Sequence, residues 1–350
     1  MRIDEATTKI SGGERLTRAE ARAVMGELLS GKAADPEIIA LLTALRDQGE
    51  TAEVLVGFAE VMRQRAAETL ARAGVHLEPL HSAGPVLDTC GTGGDALGTF
   101  NVSTATALVA AAAGVHVAKH GNRAISSRAG SADVLEALGV AIELPLERIG
   151  ECLEKAGIVF LFAPQLHVST RHVMNARRAL KTKTVFNLLG PLTNPLAATV
   201  QLAGVFDHAR TEMMAAALAL LGSRRALVVA AWDGMDEIST TGTTRVSETA
   251  GDGIRTRQIL PEDFGLAVDE AGTIQGGDAA TNARLLLDVL EGNLGPYRDA
   301  VLVNASAALV AAGRASTFVE GVAIAGEAID SGAARKTLFR LVDFTRGHRQ

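Results

Sequence analysis

The residues best suited to chemistry gather just after short apolar runs. Val86-Leu87-Asp88 reads as a strand, and Cys90-Gly91-Thr92-Gly93-Gly94-Asp95 follows it. Glycines there let backbone amides approach an anion, and a helix starting just beyond adds the positive end of its dipole. That helix is expected to begin near Ser103, so Asn101-Val102-Ser103-Thr104 either caps it or offers hydroxyls and amides to phosphate oxygens. The loop matches neither the Walker spacing nor the dinucleotide fingerprint, which removes support for ATP hydrolysis and NAD binding. A second strand, expected over 115–118, runs into Lys119-His120-Gly121-Asn122-Arg123, a dense polar stretch at the strand end where open α/β sheets bind ligands. Asp236-Glu237 follows a third run, 226–231. Adjacent carboxylates in that place either suit Mg²⁺, which takes one or two carboxylates and keeps its waters, or form a solvated turn. His120 and His167 are the histidines near these loops, and no pair has zinc-ligand spacing. No nucleophile elbow is present. A second Gly-Gly-Asp, Gly276-Gly277-Asp278, reads as an ordinary turn and cap.

Charge distribution points the same way. The chain carries 40 acids in 350 residues, yet residues 96–132 and 156–206 hold none. Those windows do hold Lys119, Arg123, Arg128, Arg171, Arg177, Arg178, Lys181 and Lys183. Buried apolar segments are naturally poor in acids, but here the bases sit in loops and helix starts beside glycines. In an acidic protein that pattern favours a local anion site over a basic surface.

The elements that must position these residues follow from periodicity. Thr17 with Glu20 forms a capping box before Ala21, Val24, Met25, Leu28 and Leu29. Asp35-Pro36 places a cap and a first-turn proline before Ile38, Leu41, Leu42 and Leu45, and Thr51 opens a third apolar helix. The first 80 residues therefore predict a small helical bundle. Beyond it, strand, loop, helix and strand alternate, which is an α/β signature. Further strands are expected over 158–162, 200–205 and 226–231, and helices over 166–180, 209–221, 280–291, 297–312 and 317–330.

Composition bounds the rest. A chain of 350 residues suggests about two domains at roughly 150 residues each. Apolar residues at 47% supply a large core. Aromatics at 3% and a net charge of −6 argue against a nucleic-acid binder. Cys90 and Cys152 form no framework, as befits a reducing cytosol. The uncharged stretch 96–118 is Ala, Thr, Ser and Gly with Asn101 and His116 inside, unlike a membrane span.

Taken in order, Asp88-Thr89-Cys90 with the glycine loop, Asn101 to Thr104, Lys119 to Arg123, the run 130–139, Phe186-Asn187-Leu188-Leu189-Gly190-Pro191-Leu192 and Asp236-Glu237 make the sequence resemble the anthranilate phosphoribosyltransferases. The likeness continues through Pro261 to Gly265 and Arg298 to Val301, covering nearly the whole chain. It implies transfer of the phosphoribosyl group of phosphoribosyl pyrophosphate (PRPP) to the amine of anthranilate with Mg²⁺, the second step from chorismate toward tryptophan. It implies PRPP contacts at Gly91, Gly94, Asp95, Thr99, Asn101, Val102, Ser103, Thr104, Lys119, His120, Gly121, Asn122, Arg123, Ala124, Ile125, Ser126, Ser127 and Ser131. Ser103, Asp236 and Glu237 would serve the metal. Gly91, Asn122 and Arg177 would meet anthranilate, with His120 and His167 along its route, and no general acid or base is assigned. The implied fold is a helical domain, 1–80 with 165–190 returning to it, and an α/β domain, 81–164 and 191–346, whose central, mostly parallel sheet is flanked by helices as in nucleoside phosphorylases. A cytoplasmic homodimer joined through the helical part, without nucleic-acid or membrane partners, goes with it. The sequence departs from the family pattern at Ala124, Arg128-Ala129, Val168-Ser169-Thr170, Asn175 and Lys181-Thr182-Lys183, so the donor side matches better than the acceptor side. A pyrimidine nucleoside phosphorylase and a non-catalytic nucleic-acid-binding relative are the competing readings. Asp236-Glu237 argues against the first and the lack of basic excess against the second.

Overall fold

A computed structural model of the chain describes residues 1–82, 84–94, 97–124, 128–251 and 253–347. Helices α1 (Ile3–Ser11), α2 (Arg18–Leu28), α3 (Asp35–Gln48) and α4 (Ala52–Arg72) form the N-terminal bundle, followed by the short α5 (Leu77–Ser82). The Thr17–Glu20 capping box closes α2, and the Thr51 hydroxyl accepts from Val54 N at the start of α4. Asp35 lies inside α3 rather than capping it: Ala34 holds the cap position and Glu37 reaches back to its amide.

The α/β part is one seven-stranded sheet among the described residues, in the order β3-β2-β1-β4-β5-β6-β7. Strands β1 (Val86–Asp88), β2 (His116–Gly121), β3 (Ile158–Phe162), β4 (Val200–Gly204) and β5 (Arg225–Ala231) are parallel. β6 (Thr244–Ala250) and β7 (Gly253–Ile259) add an antiparallel hairpin at one edge. The parallel strands are covered on both faces, which is why they read as apolar runs. The hairpin was not legible that way, because every residue of β7 except Ile259 is exposed and it carries no apolar face. β2 also runs past the expected end at 118 and takes in Lys119 and His120, polar residues that the strand buries at 2% and 4% exposure.

Helices α6 (Val102–Ala112), α7 (Ser131–Ala137), α8 (Ile149–Ala156), α11 (Thr211–Leu220), α12 (Ala279–Leu290), α13 (Pro296–Ala311), α14 (Phe318–Asp330) and α15 (Ala333–Arg346) pack around the sheet. The helix expected over 166–180 is broken into α9 (Ala163–Leu166), a 3₁₀ stretch (Val168–Val173) and α10 (Met174–Leu180). Val168-Ser169-Thr170 explains the break: these are weak helix formers, and the Thr170 hydroxyl donates to His167 O at 2.7 Å, competing with the backbone ladder.

Two apolar clusters hold the molecule. One gathers α6, α13 and the strands around it. The other joins bundle residues such as Met25, Leu42 and Phe58 to Phe186, Leu189 and Leu192, and on to Ala203, Val228 and Met214. The bundle core is thus continuous with one face of the sheet through the segment 185–192.

Candidate active site

The strand order reverses between β1 and β4, and in open α/β sheets ligands bind outside the strand ends at such a point. The glycine loop leaves β1 there. Its Thr92 N donates to Gly204 O at 2.8 Å, and Gly93 N donates to Asp236 Oδ2 at 2.7 Å. Both contacts need missing side chains. A Cβ on Gly91 would meet Asp236 Oδ2 at 2.6 Å, and one on Gly204 would overlap the Asp236 backbone oxygen. The turn after β5 is therefore locked onto the ends of β1 and β4.

Asp236 is no solvated turn residue, since it is 7% exposed. Its turn is fixed on both sides. Asp233 accepts from Ser239 and Thr241 hydroxyls at 2.5 and 2.7 Å, and Ile238 exchanges hydrogen bonds with the Asn304 side chain. Glu237 is half-buried beside it.

Lys119 sits beneath this loop rather than projecting from it. Its Nζ lies 3.3 Å from Ser103 Oγ and 3.5 Å from Thr89 Oγ1. Burial pulls its pKa down, while the carboxylates of Asp88, Glu237 and Asp236 oppose that pull. The Ser103 hydroxyl and the carboxylates of Asp236 and Glu237 are hard oxygen donors of the kind Mg²⁺ prefers. The residues present fit that ion. The one trio of His, Cys, Asp or Glu ligand atoms close together among the described residues is Asp88, Cys90 and His120. It does not suit a metal: both Asp88 oxygens and His120 Nδ1 are already engaged, and burial pushes the Cys90 thiol up.

The Asn101 to Thr104 segment behaves differently from the capping expectation. Asn101 makes no side-chain cap bond. Its Oδ1 accepts from Asn282 Nδ2 at 2.9 Å and its Nδ2 donates to Ala129 O at 3.2 Å. Asn282, which the sequence gave no reason to single out, also accepts from Gly277 N at 2.7 Å. Thr99 bridges to Gln275, so the second Gly-Gly-Asp region braces this segment while Asp278 caps α12 as expected. Val102 and Thr104 are buried, which leaves Ser103 as the partly accessible side chain of the four beside Asn101.

Asp133 is a second unforeseen residue. One of its oxygens accepts from both Ala124 N and Gly130 N at 2.9 Å, which holds these two amides on one acceptor. Arg123 is paired with Asp133 and Glu136, so two acids just outside the acid-free window engage its charge. Asn122 is exposed, and Ser131 Oγ lies 3.4 Å from its carbonyl. Asp95, Ile125, Ser126 and Ser127 lie outside the described residues.

On the opposite wall, α10 turns Arg177 inward and Arg178 outward. Arg177 stacks over Phe186 at 5.1 Å and touches Met174 Sδ, with no carboxylate partner among the described residues. Burial lowers its pKa. His120 and His167 meet edge to face at 5.3 Å. His120 Nδ1 donates to Gly190 O at 3.2 Å, and its buried Nε2 has no partner among the described residues. His167 Nε2 donates to Thr193 O at 3.0 Å. Burial holds both rings neutral, pulling them down to about 3 and about 4. Lys183 joins the two walls: its Nζ donates to Gly94 O at 2.8 Å and lies 3.6 Å from the Phe206 ring centroid.

Comparison with known proteins is consistent with this architecture. Residues 4–66 match the helical bundle domain, and residues 83–335 the a/b domain, of a glycosyl transferase family. The molecule is thus a two-part glycosyl transferase. The chain is 51% identical to the anthranilate phosphoribosyltransferase of Rubrobacter xylanophilus, covering 98% of each. It superposes on the Thermus thermophilus enzyme of that name with a TM-score of 0.88 at 44% identity, covering 97% and 99% of the two chains. The Saccharomyces cerevisiae enzyme, solved in complex with PRPP and Mg, gives 0.86 at 27% identity over 99% and 98%. The chain belongs to the anthranilate phosphoribosyltransferase family. None of these relatives is a nucleoside phosphorylase or a nucleic-acid-binding protein.

Proposed function

We propose that this cleft transfers the phosphoribosyl group of PRPP to the amine of anthranilate, with the donor on the β1, β2 and β5 strand ends and the acceptor against α10. The observation that carries the division is the contrast between Asp236, locked onto the glycine loop, and Arg177, a half-buried guanidinium with no carboxylate partner among the described residues. Partial burial of an unpaired cation has a cost, and a ligand carboxylate reduces it through a charge-assisted contact.

Donor contacts come from the glycine loop, the start of α6 and the loop after β2, with Ser103, Asp236 and Glu237 holding Mg²⁺. When bound, that ion neutralises charge developing on the pyrophosphate leaving group. Lys119, under Ser103, places a buried amine on the same face, whose charged form the neighbouring carboxylates favour against burial. Arg177 grips the anthranilate carboxylate and thereby aims its amine at the anomeric carbon. The bare His120 Nε2 is an acceptor for an amine N–H. Because both histidines stay neutral, neither opposes the positive charge that builds on the amine nitrogen as it attacks. No general base is needed, since an arylammonium is a strong enough acid to give its proton to water.

No helix among the described residues is long and apolar enough to cross a membrane. We infer a cytoplasmic homodimer joined through the bundle. Loss of anthranilate fluorescence, followed with PRPP and Mg²⁺ each omitted in turn, tests the activity. Turnover should require both, and turnover without PRPP contradicts the reading.

A further inference from the structure

Residues 189–194 cross between the bundle and the sheet without forming a strand or a regular helix, and they are buried except at Gly190. Buried carbonyls outside regular structure must find donors elsewhere. Turn amides of the segment reach Leu189 O (from Leu192 N, 3.1 Å) and Gly190 O (from Thr193 N, 3.3 Å), and side chains, several from distant parts of the fold, add to or supply the rest. Leu189 O accepts from Thr193 Oγ1 at 2.8 Å, and Gly190 O from His120 Nδ1 at 3.2 Å. Pro191 O accepts from Gln201 Nε2 at 2.6 Å, and Leu192 O from Arg63 Nε at 2.6 Å. Thr193 O accepts from His167 Nε2 at 3.0 Å. Asn194 Nδ2 then donates to Asp88 Oδ2 and to Ala118 O, both at 2.8 Å.

Both acceptor-side histidines are therefore oriented by carbonyls three residues apart on one short segment. Their tautomers follow from it: His120 carries its proton on Nδ1, and His167 on Nε2. The segment is tied to the bundle by Arg63, from the middle of α4, whose Nη1 also donates to Leu221 O at 3.2 Å. Arg63 has no ion-pair partner among the described residues, and its Nη2 is buried without a hydrogen bond. A buried guanidinium spent on two carbonyls is an expensive way to stabilise a bundle, because desolvation of the charge opposes the gain. A geometric role accounts for it better.

We propose that residues 189–194 form a polar hub that sets the ring orientation of His120 and His167, and that Arg63 is its positioning residue, acting from the bundle without touching either substrate. The kinetic consequence rests on the acceptor lying against these histidines. Arg63→Met removes the donor to Leu192 O, and Arg63→Gln keeps a side-chain N–H of similar reach. In initial-rate titrations, Arg63→Met should raise the anthranilate KM about tenfold while the PRPP KM stays within about twofold, and Arg63→Gln should recover most of the loss. Equal defects toward both substrates, or none in a folded variant, would overturn the assignment. The hub itself is tested without any variant folding differently, by nitrogen-15 spectra of the histidine rings in the unliganded full chain, with His120 and His167 assigned by single replacement. The expected result at neutral pH is one neutral tautomer each, Nδ1–H for His120 and Nε2–H for His167. A tautomer mixture in either ring sinks the hub whatever the acceptor proves to be, whereas pure tautomers with an unchanged anthranilate KM in Arg63→Met would remove only the kinetic role.

Discussion

The two walls of the site, to which we propose donor and acceptor bind, are held in different ways. On the donor wall the geometry lies in the backbone: Gly91 and Gly204 make room for Asp236, whose carboxylate takes the Gly93 amide. On the acceptor wall it lies in side chains reaching to carbonyls, with His120 and His167 on the 189–194 segment and Arg177 on a short helix beyond a 3₁₀ turn. A wall made of close backbone approaches tolerates almost no added atoms. A wall made of side chains tolerates change one residue at a time; of the departures read in the sequence, Val168, Ser169, Thr170 and Asn175 fall there, while Ala124 and Arg128-Ala129 fall after β2.

The comparison breaks first at Gly204. A methyl group there overlaps the Asp236 backbone, so Gly204→Ala should cost on the order of 3 kcal/mol or more in denaturant unfolding and abolish turnover. Near-normal stability would mean that the β5 turn does not sit on β4 as described. Next is Asp236 itself. Asp236→Ala leaves the Gly93 amide without its acceptor, a loss of about 1–3 kcal/mol, whereas Asp236→Asn can keep that bond through its carbonyl oxygen and lose only the charge. Turnover should fall in both, but thermal stability mainly in the alanine variant; matching melting curves would show that the Gly93 contact contributes nothing.

The smallest effect concerns acid stability. His167 drops from the usual 6.5 to about 4 because it is buried, so the unfolded chain binds its proton first. Its contribution is complete above pH 6.5 and is lost as pH falls through about 4. His167→Gln keeps an N–H for Thr193 O and does not titrate. Between pH 6.5 and 4.5 it should lose about 1–2 kcal/mol less stability than the parent. Asp88, pushed up to about 6 mainly by burial, has the opposite slope, but it is present in both proteins and cancels in the difference. Parallel stability curves would place His167 in a wetter setting.

Much of the loop cluster at the strand ends was legible in the sequence because its signals are local: a glycine run after an apolar strand, a basic cluster at a strand end, paired acids after another. The bundle was legible for the same reason, through caps and helical spacing. What escaped depends on distant partners. Asp133 and Asn282 look like ordinary helix residues, and only folding shows one holding the Ala124 and Gly130 amides and the other bracing Asn101, 181 positions away. Arg63 meets Leu192 across 129 positions. Lys119 and His120 read as loop because polarity suggests exposure, yet in the interior Lys119 reaches Ser103 and Thr89 while His120 reaches Asp88 and Gly190. The β6–β7 hairpin escaped for the opposite reason: β6 buries mostly Thr and Ser (Thr244, Ser247, Thr249) and β7 is exposed, so neither leaves an apolar period to read.

The two walls are separated most directly by titrating Arg177→Ala and Arg178→Ala against both substrates. Arg177 is inward-facing and without a carboxylate partner among the described residues, and Arg178 is exposed on the same helix. Loss of a charge-assisted carboxylate contact is worth about 1.5–3 kcal/mol, or roughly ten- to a hundredfold in KM. Arg177→Ala should show that rise for anthranilate with PRPP nearly unchanged, and Arg178→Ala should match the parent for both. A PRPP defect in Arg177→Ala as large as its anthranilate defect, or an anthranilate defect in Arg178→Ala instead, would contradict the division of the cleft into a donor and an acceptor wall.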